Sequence, residues 1–234
     1  MSETIRIEIE KYLKKYPPAQ ILFEKLVEIG DVYIIGGLLR EYKDNNQINS
    51  LRDADFSINI KHKEKWKKVI KDIPNQKNRF GGYKFNCSGF IVDVWDVKET
   101  WAFRNKIIDV DETEFFKYLS KSVFLNVDAL IYDLSNNKWD DAIYLQAMEK
   151  NEIDIVLEKN PFIELNLLRS MILKRKYKMD YSKKLANMIY DYSKIDKSFV
   201  NKLLDIQDKR YRKIVLTKES VVQEINICGA RISV

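Results

Sequence analysis

The sequence predicts an α+β fold, a mixed sheet with flanking helices followed by a small helical domain. Three observations point to it. Short apolar runs rich in β-branched residues alternate with helical patterns over the first 134 residues. Ser88 and Gly89 form a two-residue turn between two alternating runs, which reads as a hairpin. Beyond the Asn-Asn turn in "LSNNKWDD" the spacing of apolar residues becomes helical. The first domain is accordingly placed at 1–134 and a helical domain at 135–234.

In chain order, Ile5, Ile9, Tyr12 and Leu13 recur at helical spacing, and two prolines open a second helix, "PPAQILFEKLVEIG", which Gly30 stops. "DVYII" suits a short buried strand. Gly36 and Gly37 follow it, and "LLREYK" reads as the next helix. "ADFSINI" alternates apolar and polar residues as a half-buried strand does. "KHKEKWKKVIK", 61–71, puts Trp66, Val69 and Ile70 on one helical face and charges on the other, a solvated helix. "GGYKFNCSGFIVDVWDV" is the hairpin, and a last strand in "NVDALIYDL" runs into the Asn-Asn turn. Helices are expected at about 141–150, 160–176, 181–193 and 197–210. The closing stretch "IVLTKESVVQEINICGARISV" alternates in a way that suits a terminal strand or an interface element.

With 234 residues, 45% of them hydrophobic and 32% charged, the chain can bury a sizeable core, and its composition argues against disorder. No apolar run approaches the roughly 20 residues that span a bilayer, and "MSETIRIEIEKYLKKY" lacks the apolar core of a signal peptide. A cytoplasmic protein with no membrane partner is expected. Cys87 and Cys228 lie far apart and His62 is the single histidine, which speaks against a disulfide framework and a zinc site. The formal charge of +6 favours polyanionic partners such as RNA or nucleotides. The densest candidate for RNA contact is "LKRKYKMDYSKK", 173–184, where Tyr177 and Tyr181 could stack on bases.

Asp53 and Asp55 are separated by one residue on an apparent strand, so both side chains point to one face. Like charges held so close need something positive between them, and a divalent cation meets that need. A second acidic residue, Asp93, lies among Ile91, Val92, Val94 and Val97 in another strand, where an unused charge costs free energy. Asp96 competes with it, but the odd step between them puts the two on opposite faces. Three carboxylates on adjacent strands suit two Mg2+ ions at an in-line attack on a phosphate. Gly36 and Gly37, between a strand and a helix N-terminus, let backbone N–H groups approach an anion with no Cβ in the way, and Arg40 one turn later adds a charged donor.

"VYIIGGLLREY" followed by "LRDADFSI" resembles the head of the class II tRNA nucleotidyltransferase (CCA-adding) and bacterial poly(A) polymerase family, within the polymerase-beta-like nucleotidyltransferase superfamily. That family's pattern is an apolar strand, Gly-Gly-x-x-Arg-Asp and an Asp-x-Asp strand, with Glu41 here at the final position of the first motif. "SVFLNVDALIYDL" is similar to a later family segment and places Asn126 on its asparagine; "NPFIELNLLRSMILKRKYKMD" is similar to a family helix and places Arg169 on an arginine. The resemblance implies a polymerase-beta-like nucleotidyltransferase head. It further implies Mg2+-dependent transfer of an NMP from an NTP to a hydroxyl, with pyrophosphate released. Asp53, Asp55 and Asp93 would be catalytic and metal-binding, and Gly36, Gly37, Arg40, Asn126 and Arg169 nucleotide-binding. An RNA acceptor such as a tRNA end fits the basic charge. Ser120, Lys121 and Ser122, and Lys159 and Asn160, replace family residues that help recognise the base and move the growing end, so base and acceptor are not carried over. A protein or small-molecule acceptor, or a non-catalytic nucleotide- or RNA-binding module, are the alternatives.

Overall fold

The computed structural model describes residues 2–51, 53–78 and 80–232. The chain forms two units. One comprises the residues up to Ser122 together with Asp128–Ala142; the other comprises Val123–Val127 and the residues from Ile143 onward. A simple division at 134 therefore misses two exchanges. A strand at Lys138–Asp140 pairs back onto the first unit's sheet, and Leu125 bridges to Ile155 while Asn126 N–H donates to the Asp154 carbonyl in the second.

The first unit runs α1 (Ser2–Leu13), α2 (Pro17–Ile29), β1 (Gly30–Ile35), α3 (Gly37–Asn45), β2 (Asp53–Ile60), α4 (Lys63–Asp72), β3 (Asn75–Lys77), β4 (Tyr83–Cys87) and β5 (Phe90–Asp96). Two short helices, α5 (Trp101–Arg104) and α6 (Phe115–Leu119), precede β6 (Ile131–Asp133) and β7 (Lys138–Asp140). Strands β3 and β7 have three residues each, too short to show a period in the sequence. The sheet order is β3-β4-β5-β2-β1-β6-β7. Strands β2 and β5 are parallel, and the other neighbouring pairs are antiparallel.

Period-two alternation divides this sheet into two chemically different faces. Ala54, Phe56 and Ile58 of β2 and Val92 and Val94 of β5 are buried. On that side Phe56 meets Phe23 of α2 with ring centroids 5.7 Å apart, and Leu22 and Leu26 of the same helix are fully buried. Burying each such side chain stabilises the fold by about 1.5–3 kcal/mol. The intervening residues of the same strands, Asp53, Asp55 and Asp93, are only partly buried and face the other way. Helix α4 is the solvated helix its pattern suggests, with Val69 buried and Lys67 and Lys65 paired to Glu64 and Glu28.

The second unit contains α7 (Ala142–Lys150), whose first residue belongs to the other unit, then β8 (Glu152–Ile153), α8 (Ile163–Tyr177), β9 (Asp180–Tyr181), α9 (Lys183–Ile195), α10 (Phe199–Tyr211) and α11 (Lys218–Ile232). Leu167, Leu168 and Met171 of α8, Leu185 and Ile189 of α9, Phe199 and Leu203 of α10, and Val221 and Cys228 of α11 form its core. Lys218–Ile232 of the closing segment is thus a helix, which rules out the terminal strand, one of the two readings of that stretch. The alternation of Ile225 and Ile227 is misleading, because the buried positions are Val221, Glu224 and Cys228, one helical face. Cys87 and Cys228 are free thiols, and burial pushes the Cys228 thiol up to about 12. No helix among the described residues is long and apolar enough to cross a membrane.

Candidate active site

Strand β2 starts with Asp53, and the i, i+2 spacing puts Asp53 and Asp55 on one face. Parallel pairing sets Asp55 level with Asp93 of β5. In-register neighbours point the same way, so these three carboxylates share a face at one end of the sheet. Asp96 is level with Ile58 and faces the opposite side. There it caps a short 3-10 turn, Val97–Glu99, accepting from Lys98 N–H at 3.0 Å. Burial raises the Asp96 carboxyl above the usual carboxylate range, opposed by that hydrogen bond. The choice between Asp93 and Asp96 as the third carboxylate of this face thereby falls to Asp93.

The glycines adjoin the same end. Strand β1 ends at Ile35, level with Asp55. The chain then leaves the sheet through Gly36 at φ 76° and ψ −121°, a conformation that strains any residue bearing a Cβ. Helix α3 begins at Gly37. Its first intrahelical bond runs from Arg40 N–H to the Gly36 carbonyl, so the N–H groups of Gly37, Leu38 and Leu39 precede the helical ladder and lie at the positive end of the helix dipole. A Cβ on Gly37 would meet nothing nearer than Arg40 Nη2, at 3.9 Å, so the space it would take is open. Arg40 is committed more firmly than the sequence suggested: its Nη1 donates to Asp128 Oδ1, with both side chains nearly buried.

The candidate ligands Asp53, Asp55 and Asp93 offer carboxylate oxygens, the chemistry of Mg2+ rather than of a soft metal. Among the described residues no three His, Cys, Asp or Glu side chains converge as they stand into a closed ligand cluster. Asp93 instead pairs through Oδ2 with Lys84 Nζ at 3.1 Å.

No protein-family model and no curated protein sequence matches the chain. Solved structures do. An apo CCA-adding enzyme superposes with a TM-score of 0.62 and 13% identity, covering 95% of this chain and 54% of the other. A CCA-adding enzyme in complex with ATP gives 0.61 and 14%, covering 94% and 54%. The Thermotoga maritima CCA-adding enzyme complexed with tRNA gives 0.59 and 13%, covering 95% and 54%. The chain has the fold of the CCA-adding enzymes. It spans about half the length of these structures.

Within this CCA-adding-enzyme fold the first unit holds Asp53, Asp55, Asp93, Gly36, Gly37 and Arg40, whereas Asn126 and Arg169 belong to the second. Asn126 is 8% exposed and its amide works as a structural clamp. Its Oδ1 accepts from Val127 N–H at 2.9 Å and Asp154 N–H at 3.0 Å, and its Nδ2 donates to the Glu152 carbonyl at 2.9 Å. Arg169 lies half-buried on α8. In the basic stretch 173–184, Arg175, Lys176, Lys178, Lys183 and Lys184 are exposed, but Lys174 and Tyr181 are engaged internally. Lys174 Nζ and the Tyr181 hydroxyl both donate to the buried Glu224 carboxylate, at 3.0 and 2.9 Å, and Tyr181 is 1% exposed. Tyr177 packs against the helical core. Tyr181 therefore offers no free face on which a base could stack, whereas Tyr177 stays partly exposed.

Two partners of the candidate residues, Asp128 of Arg40 and Lys84 of Asp93, are not among the residues the sequence motifs mark. Asp128 gives no local signal, because its partner Arg40 is 88 residues away. Lys84 does give one. The Ser88-Gly89 turn sets Cys87 opposite Phe90, and counting back along both strands brings Lys84 opposite Asp93.

Proposed function

We propose that this chain is a Mg2+-dependent nucleotidyltransferase that moves an NMP from an NTP to a hydroxyl on RNA, with a tRNA end as the leading acceptor, and releases pyrophosphate. The observation that carries this reading is the level placement of Asp55 and Asp93, with Asp53 on the same face, beside the Gly36-Gly37 start of α3. The fold supports it, since solved structures with that fold include CCA-adding enzymes in complex with ATP, CTP and tRNA.

In this reading the amides of Gly37, Leu38 and Leu39 receive the triphosphate at the helix N-terminus. Arg40, fixed by Asp128, presents its remaining guanidinium edge beside Gly37. Asp53 and Asp55 would hold two Mg2+ ions and Asp93 one of the two. When bound, the ions supply Lewis-acid activation of the attacking hydroxyl and neutralise charge on the leaving pyrophosphate. The acceptor oxygen forms a bond to the α-phosphorus as the bond from that phosphorus to the α,β-bridging oxygen breaks, and Asp93 takes the hydroxyl proton.

The test is incubation of the protein with each α-labelled NTP and Mg2+, in the presence of total RNA or of a cell extract. Label entering RNA is expected. Label entering protein instead would move the acceptor to a side chain, and no transfer under any condition would overturn the enzyme reading.

A further inference from the structure

Three adjacent strands carry a row of charges across the sheet. Lys84 of β4 is the Cα partner of Asp93 of β5, and Asp93 is level with Asp55 of β2. Neighbouring strands lie about 4.8 Å apart, so the row sets a lysine beside the three carboxylates. The contact is made: Lys84 Nζ stands 3.1 Å from Asp93 Oδ2. The Asp93 side chain is 15% exposed and that of Lys84 39%. The carboxylate is thus held in place while the ammonium reaches it from the solvent side on a flexible stem.

We propose that Lys84 is a positioning residue that holds Asp93 by its carboxylate and competes with a divalent cation for that oxygen, so that it sets how tightly the carboxylate face takes a metal ion. The inference rests on the reading of Asp53, Asp55 and Asp93 as a metal-binding face. Two cations cannot share one carboxylate oxygen without repulsion, so cation entry requires Lys84 to swing toward water. Its half-exposed position leaves that path open and keeps the pair weak. The consequence is a site in which divalent cation, with or without NTP, must displace a side chain already in place.

Mn2+ serves as the probe, its free concentration read by electron paramagnetic resonance during titration of the full chain without nucleotide. Lys84→Met keeps the length and removes the charge, and is expected to tighten Mn2+ binding about fivefold (about 1 kcal/mol). Lys84→Arg is expected to restore an affinity near that of the unaltered chain. Equal or weaker binding by Lys84→Met would overturn the proposal. Circular dichroism checks the fold, and if Lys84→Met does not fold, Lys84→Gln decides on the same criterion. The double variant Asp53→Ala, Asp55→Ala separates the two levels of the argument: loss of Mn2+ binding is expected, and retention at full affinity would sink the metal-face reading itself, whatever Lys84 does.

Discussion

Arg40 and Asp128, 88 residues apart in the chain, are joined side chain to side chain, Arg40 Nη1 donating to Asp128 Oδ1. The pair anchors the first turn of α3, and it converts an arginine that the sequence offers as a phosphate ligand into one whose orientation is set from β6's side of the sheet. The two side chains are 12% and 13% exposed, so the link is shielded from solvent screening.

Asp128→Ala leaves Arg40 without its carboxylate in a nearly buried position. We expect a loss of about 3 kcal/mol in denaturant unfolding. The KM for NTP should rise with it, because the guanidinium is no longer fixed. A variant as stable as the unaltered chain would show that the pair contributes little.

Gly36 and Gly37 should behave differently when each is changed to alanine. Gly36→Ala forces a Cβ into φ 76° and is expected to cost about 1–3 kcal/mol of stability. Gly37→Ala meets only Arg40 Nη2, at 3.9 Å, so it should fold normally and weaken nucleotide binding by obstructing the helix N-terminus. Thermal melts together with NTP titration by calorimetry separate the two.

Replacing Asp53 or Asp55 by alanine should lower transfer by about 10²–10³-fold or more, the scale of losing a main electrostatic group at a phosphate. Folding should survive, since removal of like charges from one strand face relieves repulsion. Single-turnover transfer of α-labelled NTP, with melts as the control, reads both effects.

Asp93 and Asp96 make a matched pair of opposite expectation. Asp93→Asn should lose transfer, whereas Asp96→Asn should retain it because Asp96 caps a turn on the other face. The Asp96 carboxyl is raised by burial, so the folded state holds its proton more tightly than the unfolded chain. That contribution to stability is fully present below the ordinary carboxylate pKa and is lost as pH rises through the raised value. Asp96→Asn should therefore flatten the pH dependence of unfolding across that window.

Asn126→Ala is expected to act on stability before it acts on nucleotide. It would leave the Val127 and Asp154 N–H groups without their acceptor, about 1–3 kcal/mol for each that stays buried. Hydrogen exchange at those two amides measures the loss directly.

Local chemistry was enough to place Asp53, Asp55 and the glycine pair on their elements. The period of two puts Asp53 and Asp55 on one face and parts Asp93 from Asp96, and a glycine pair between strand and helix marks the N-terminus of α3; these are properties of neighbouring residues and need no knowledge of the fold. Helices α1, α2, α8, α9 and α10 were legible for the same reason. The hairpin register that sets Lys84 opposite Asp93 is likewise local, but only the tertiary structure decided which other strands adjoin. The parallel pairing of β2 with β5 brings Asp93 level with Asp55, and the packing of β6 beside β1 brings Asp128 within reach of Arg40. It also made α11 a helix, because burial of Val221, Glu224 and Cys228 against the other helices outweighs a short alternation that fits either period. Side-chain periodicity is written along the chain, but strand order and register are set by the burial of whole faces against distant segments, and that energy belongs to pairs of segments rather than to either one.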